Sequence, residues 1–275
     1  EILSVVDHSF YRVVANLFST NDRRIIGTFI EAYLCQTLNI ANLFYSRSLQ
    51  SLSYLKITLV PKSFAICTTP EACKFASHPK LQKLTDPSRD RYNRTALDGD
   101  KALDMFNKWL LGFRANFPAF KTFDVAIGFV GVNLLTENDV LGIAINNGMC
   151  KFGFNGVLVE DNLGFFSAQT IAHEIAHTLA VSHDSAFNNT ACTDLHNYVM
   201  STSLKNQNMT NSFYFSNCSI LTFITNINKN RQFKCIYNKA TPDEDVVRFS
   251  NFFPGQLKNL TEQCKYAYGP AYYPM

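Results

Sequence analysis

Three of the six histidines in this 275-residue chain fall within eleven positions. They lie in the run His173-Glu174-Ile175-Ala176-His177-Thr178-Leu179-Ala180-Val181-Ser182-His183-Asp184. Positions i and i+4 of a helix share one face about one turn apart, so the imidazoles of His173 and His177 can converge on a single metal ion. Glu174, one residue on and rotated by about 100°, misses the ion but reaches a water bound to it. His183 would stand about 9 Å farther along a continued helix, out of reach of the same ion. The chain must therefore leave the helix near Ala180 and fold back. The natural residue for such a left-handed turn is Gly, and Ala can take it at a cost on the order of 1 kcal/mol. Three neutral His ligands leave a fourth position open, the pattern of a catalytic zinc site rather than a structural one. Zinc draws the pKa of its bound water toward neutrality, and Glu174 is placed to take that proton and deliver it to a leaving amine. The chemistry expected is peptide-bond hydrolysis without a covalent intermediate.

The elements that must carry this site follow from periodicity. Phe165–Ala180 reads as the long helix bearing the motif. Ile2–Val6 reads as a strand ending at Asp7, and Ile25–Tyr45 as a long helix with apolar residues at helical spacing. Leu55–Val60 alternates and ends at Pro61, a strand pattern, while residues 61–100 are rich in Pro, Ser, Thr, Asp and Lys and read as a long surface excursion. Lys101–Phe113 is an amphipathic helix, Asp124–Leu135 and Val140–Ile145 are strands, and Leu221–Asn228 is helical. This order predicts an α/β fold in which a mixed sheet packs against helices. The charged stretch Thr241-Pro242-Asp243-Glu244-Asp245 reads as a domain boundary, and the thirty residues after it are too few to form a core. The expected organisation is therefore one large domain and a short appendage, divided near 241–245.

Composition narrows the setting. Hydrophobic residues make up 47% and charged residues 17%, enough for a sizeable core and unlike a disordered chain. With 25 Lys+Arg against 22 Asp+Glu and no dense basic run, nothing favours a nucleic-acid or membrane-surface partner. Apolar stretches such as Val125–Val132 fall short of a membrane span. The eight cysteines form no Cys-x-x-Cys pair, which argues against thiolate zinc or redox chemistry, and their even number fits four disulfides in many pairings. Sequons begin at Asn93, Asn188, Asn208, Asn217 and Asn259. Together these favour a secreted glycoprotein over a cytosolic protein with buried thiols. The opening Glu1-Ile2-Leu3-Ser4 has no basic-then-apolar leader and reads as the start of a processed chain.

His173-Glu174-x-x-His177-x-x-Ala180-x-x-His183-Asp184 resembles the signature of the metzincin zinc proteases. The Asp after the third His resembles the adamalysin (reprolysin, ADAM-like) branch, and the chain is most similar there to secreted salivary metalloproteases of ticks. The resemblance covers about residues 1–238. Tyr198-Val199-Met200-Ser201 resembles the family's Met-turn, with Met200 as an apolar floor beneath the zinc. The segment Leu141–Cys150 resembles its edge strand, so Gly142, Ile143 and Ala144 would bind extended substrate through main-chain hydrogen bonds. Phe215–Ser219 and Cys235–Asn238 resemble the last helix and the domain end. By that match Cys150–Cys235 and Cys192–Cys218 are bridges. Cys67–Cys73 would close a small loop, which leaves Cys35 and Cys264 as candidates for a fourth pair. The resemblance also implies a structural Ca2+ held by Glu1, Asp124, Cys235 and Asn238, all through oxygen donors. Residues from Pro254 to Cys264 resemble the opening of a disintegrin-like module, a stub within 239–275. The family's usual Gly is Ala180 here, and its usual Cys before the Met-turn is Tyr198.

The resemblance implies a secreted, monomeric zinc metalloendopeptidase with one catalytic Zn2+. Its substrates would be extracellular proteins such as host matrix or clotting proteins. The alternative is a secreted binding protein, weak or inactive as an enzyme, that keeps the fold and the zinc.

Overall fold

The computed structural model describes residues 1–77, 82–84, 95–117, 122–137, 139–187, 190–202, 209–229 and 231–238, together with Asn259, Thr261, Glu262 and Lys265. Most of 239–275 lies outside the described residues, and so do the appendage expected there and the Cys264 partner expected for Cys35.

In chain order the elements are β1 (Ile2–Val6), α1 (His8–Leu17), α2 (Arg23–Ser48), β2 (Pro61–Ile66), α3 (Lys74–Ser77), β3 (Gln82–Leu84), β4 (Thr95–Asp98) and α4 (Gly99–Asn116). They continue with β5 (Val125–Val130), β6 (Asn133–Leu135), β7 (Asp139–Val140), β8 (Gly142–Ala144), β9 (Gly156–Glu160), α5 (Ser167–Thr178) and α6 (Asn217–Lys229). Acidic side chains start three of the helices by accepting orphan backbone N–H groups. Asp7 accepts from Ser9 (3.0 Å) and Phe10 (2.9 Å), Asp22 from Arg24 (2.9 Å), and Asp98 from Lys101 (3.3 Å).

The main sheet runs β2-β1-β5-β9-β8, with the first four strands parallel and β8 antiparallel at one edge. Parallel strands are covered on both faces, and β1 and β5 are buried along their whole lengths. Alternation sends Ile2 and Val6 into the layer shared with α1, α2, α5 and α6, and Leu3 and Val5 into the layer shared with α3 and α4. A second, smaller sheet runs β3-β4-β6-β7. The fold is thus α/β with a mixed sheet between helical layers.

Several boundaries differ from the sequence reading. Leu55–Val60 is not a strand; the strand starts where that stretch was expected to stop, at Pro61. The cause is Asn42 on α2. Its amide donates to the Leu59 carbonyl (2.9 Å) and its carbonyl accepts from the Leu59 N–H (2.7 Å), taking both backbone groups off the ladder. Pro61, with no N–H to offer, is tolerated as the first residue of an edge strand. The excursion over 61–100 therefore contains β2, α3, β3 and β4. Asp124–Leu135 divides into β5 and β6, which join different sheets. The break is at Gly131, whose N–H donates to Ser9 Oγ (2.8 Å) and where a Cβ would come within 2.8 Å of the Phe10 nitrogen. Val140–Ile145 likewise splits between β7 and β8. The helix α1 and the strand β9 were not expected from sequence.

Candidate metal centre and active site

The active-site helix α5 has no side-chain cap at Phe166. Its start is fixed from below by the buried carboxylate of Asp161. That group accepts hydrogen bonds from the Ser167 hydroxyl (2.5 Å), the Tyr33 hydroxyl (2.8 Å) and the Leu163 N–H (2.7 Å). Tyr33 in turn accepts from the Phe165 N–H (3.2 Å) and stacks on the Phe165 ring. The connection is tightly wound, with Leu163, Gly164 and Phe165 all at positive φ.

The far end of α5 closes with two bonds of a Schellman turn. The Val181 N–H donates to the Ala176 carbonyl (3.0 Å) and the Ala180 N–H to the His177 carbonyl (2.9 Å). Ala180 sits at φ 63°, the left-handed conformation that the His177–His183 spacing requires. A Cβ there costs about 1 kcal/mol. Asn147 and Met149, just beyond β8, donate their N–H groups to the His177 and Thr178 carbonyls (2.9 and 3.0 Å). The Asn226 amide, from α6, donates to both the Leu179 and Ala180 carbonyls (3.0 Å each).

This turn returns His183 to the helix. The Nε2 atoms of His173, His177 and His183 form a triangle with sides of 3.0, 3.1 and 3.2 Å. Among the described residues this is the one group of three or more His, Cys, Asp or Glu side chains whose ligand atoms converge within 4.8 Å. The His173 Nδ1 lies 2.6 Å from the Val199 carbonyl and the His177 Nδ1 lies 2.8 Å from the Val181 carbonyl. A carbonyl can only accept, so each Nδ1 carries the proton and each Nε2 turns a lone pair toward the centre. The facing lone pairs of His173 and His177, 3.0 Å apart, repel unless a cation lies between them, and the His183 Nε2 lies within 3.2 Å of both. A point about 2.0–2.1 Å from all three, the zinc–imidazole distance, lies just off the plane of the triangle. The residues therefore fit zinc.

Burial, reinforced by the neighbouring imidazoles, holds His173 down to about 4 and His177 down to about 3, and burial lowers His183 as well. The ligands are thus kept neutral, as metal binding requires. Burial pushes the Glu174 carboxyl up to about 8, making it a stronger base than an ordinary carboxylate. Glu174 faces the edge strand. A Cβ built on Gly142 would lie 2.8 Å from the Glu174 Cγ and 3.1 Å from its Oε1. Among the described residues strand β8 pairs with β9 alone, through Gly142↔Val159, Ile143↔Leu158 and Ala144↔Val157.

Met200 is fully buried, and its carbonyl accepts the Asp184 N–H (2.9 Å). The Asp184 carboxylate is also buried and accepts from the hydroxyls of Ser216 (2.5 Å) and Ser219 (3.2 Å) at the start of α6. Disulfides join Cys67 to Cys73, Cys150 to Cys235 and Cys192 to Cys218. Among the described residues no helix is long and apolar enough to cross a membrane.

The residues expected to hold calcium are brought close to one another. Glu1, Asp124 and Asn238 line one cavity of about 440 Å³ behind α5, and Cys235 is tied to Cys150, whose N–H donates to the Asp124 carbonyl (3.3 Å). Both carboxylates already face cations, Asp124 the Glu1 ammonium (2.5 Å) and Glu1 the Lys62 ammonium (3.1 Å). The carbonyls of Val181 and Val199, the N–H groups of Asn147 and Met149, and the Asn226 amide went unread in the sequence. Backbone groups have no residue type to betray them, and Asn226 lies 46 residues from the turn it holds.

The sequence matches the model of the reprolysin (M12B) family of zinc metalloproteases over residues 90–240. Among curated relatives, human "A disintegrin and metalloproteinase with thrombospondin motifs 6" is 30% identical over 183 residues, covering 62% of this chain and 16% of its own length. Mouse "A disintegrin and metalloproteinase with thrombospondin motifs 19" is 29% identical over 132 residues, covering 48% of this chain and 10% of its own. The chain thus spans a sixth or less of these relatives. Among solved structures, archaemetzincin from Methanopyrus kandleri aligns at a TM-score of 0.41 and 17% identity, over 83% of this chain and 96% of that one. With the family match running from the strand that precedes α4 to the end of the last described turn, the chain belongs to the reprolysin (M12B) family of zinc metalloproteases.

Proposed function

We propose that this chain is a secreted zinc-dependent endopeptidase that hydrolyses peptide bonds in extracellular proteins. The observation that carries the reading is the triangle of Nε2 atoms on His173, His177 and His183. When bound there, zinc supplies a Lewis acid that polarises the scissile carbonyl and lowers the pKa of water. Glu174, desolvated beside the cluster, accepts a proton from the attacking water at its carboxylate and hands it to the leaving nitrogen. The unpaired side of β8, at Gly142, Ile143 and Ala144, receives the substrate as an added strand. Met200 and the turn around it support the floor, chiefly by fixing the Val199 carbonyl against His173. Secretion is supported by three disulfides among the described residues and by the exposed Asn217 of one sequon.

The test is cleavage of casein or gelatin by disulfide-bonded, zinc-loaded protein. Cleavage is expected, is abolished by a chelator, and falls about 10²- to 10⁴-fold in Glu174→Ala. If the loaded protein cuts nothing, the alternative of a binding protein that keeps the fold takes over. We also place a structural Ca2+ at Glu1, Asp124, the Cys235 carbonyl and Asn238, supported by the cavity that three of them share. Calcium should then raise the melting temperature of the wild type and not of Asp124→Asn.

A further inference from the structure

We propose that Asn226 is a positioning residue for the metal centre, splinting the left-handed Ala180 turn that delivers His183 to the other two histidines. The inference rests on the zinc site proposed above. It starts from an accounting of backbone groups. A helix that ends leaves its last carbonyls without intrahelical donors. In α5, the carbonyls of Ala176, His177 and Thr178 are met by the backbone N–H groups of Val181, Ala180, Asn147 and Met149. The next two, Leu179 and Ala180, are both met by Asn226 Nδ2, at 3.0 Å each. A carboxamide nitrogen has two protons, and these two bonds use both.

The position of this clamp matters more than its strength. The Leu179 and Ala180 carbonyls lie on either side of the Ala180 Cα, where a φ of 63° reverses the chain. The turn that follows sends the Val181 carbonyl back to the His177 Nδ1 (2.8 Å) and His183 to within 3.1 Å of the His177 Nε2. An L-residue with a Cβ disfavours that conformation, so the turn relaxes unless its surroundings hold it. The surroundings that hold it belong to α6, and α6 is anchored on both sides of Asn226. Phe223 and Ile227 are buried in the core, the Cys192–Cys218 bridge ties the start of the helix, and Ser216 and Ser219 bind the Asp184 carboxylate next to His183. The chain from Leu179 to Asp184 is therefore gripped by one helix at its two ends. Asn226 compensates for the side chain that Ala180 carries where a Gly would have relaxed unaided.

The experiment follows zinc release to a competing chelator, together with the melting temperature of the metal-free protein, and needs no substrate. Asn226→Leu removes both donors at similar size, and Asn226→Asp keeps the shape but replaces the donors with acceptors. Each is expected to speed zinc loss by about 10- to 100-fold, the usual effect of losing an outer-shell partner. In an Ala180→Gly background the same substitutions are expected to change zinc loss by less than about threefold, because a Gly turn needs no splint. Should Asn226→Leu fail to fold, the Ala180→Gly, Asn226→Leu double variant is expected to recover a folded, zinc-retaining protein. Unchanged zinc release in the Asn226 variants, equal effects in the two backgrounds, or no recovery in the double variant would each overturn the inference. A wild type that never retains zinc would instead overturn the metal site itself.

Discussion

Gly142 turns a bare Cα toward Glu174, and no side chain fits between the edge strand and the active-site helix at that point. A Cβ there would stand 2.8 Å from the Glu174 Cγ and 2.6 Å from the Thr170 Cγ2. Gly142→Ala must push the carboxylate aside or lift β8 off α5. Peptidase activity is expected to fall roughly 10- to 100-fold through kcat, as misplacement by about 1 Å implies. Zinc content should stay at the wild-type level, because the three Nε2 atoms lie elsewhere. Steady-state kinetics with metal analysis check this, and an unchanged kcat would refute it.

The metal-free protein should be most stable near pH 6.5. The folded-state values of His173 and His177, about 4 and about 3, lie below the ordinary 6.5. The unfolded chain therefore takes up protons first, and their contribution is complete above about pH 6.5 and lost as pH falls toward 3. Glu174 acts in the opposite sense. Its folded value of about 8 lies above the ordinary 4.5, so its contribution is present below about pH 4.5 and lost as pH rises through 8. Melting temperatures of chelator-treated protein across pH 4–9 test this, and a curve still rising between pH 7 and 9 would contradict it.

Removing the Asp161 carboxylate should loosen the head of α5. Asp161→Ala strands the Tyr33 and Ser167 hydroxyls and the Leu163 N–H in a buried setting, which costs on the order of 3 kcal/mol. Tyr33→Phe removes one donor and the acceptor of the Phe165 N–H, and should cost less, about 2 kcal/mol. Urea denaturation of the two variants is expected to give that ranking, and equal losses would count against a carboxylate-centred network.

Cutting the Cys150–Cys235 bridge should cost about 2–5 kcal/mol, since it closes a loop of 85 residues. The double replacement Cys150→Ala, Cys235→Ala is compared with the wild type by denaturant midpoint. The Cys67–Cys73 bridge spans only 6 residues and should matter less.

What could be read in the sequence was what side chains announce at short range. The helical spacing of His173 and His177, and the arithmetic that forces a reversal before His183, put Ala180 at a left-handed turn without sight of the fold. The supports of that reversal were illegible because they come from elsewhere in the chain or from the backbone. Val199 holds His173 across 26 residues, and Asn226 reaches Ala180 across 46. The misplaced strand has the same origin. Alternation at Leu55–Val60 was real, but Asn42, 17 residues upstream, engages the Leu59 backbone and shifts the ladder to Pro61. Asp7 was read as the end of a strand, yet it is also the cap of the helix that follows, and that second role concealed α1.

The placement of β1 governs how this molecule reaches its native state. Its neighbours β2 and β5 run alongside it, yet Ile2 pairs with Pro61 on one flank and Val125 on the other, about 60 and about 120 residues downstream. Such distant closures slow refolding. A nascent chain halted short of Val130 would leave this largely apolar strand with an unmatched border, open to self-association.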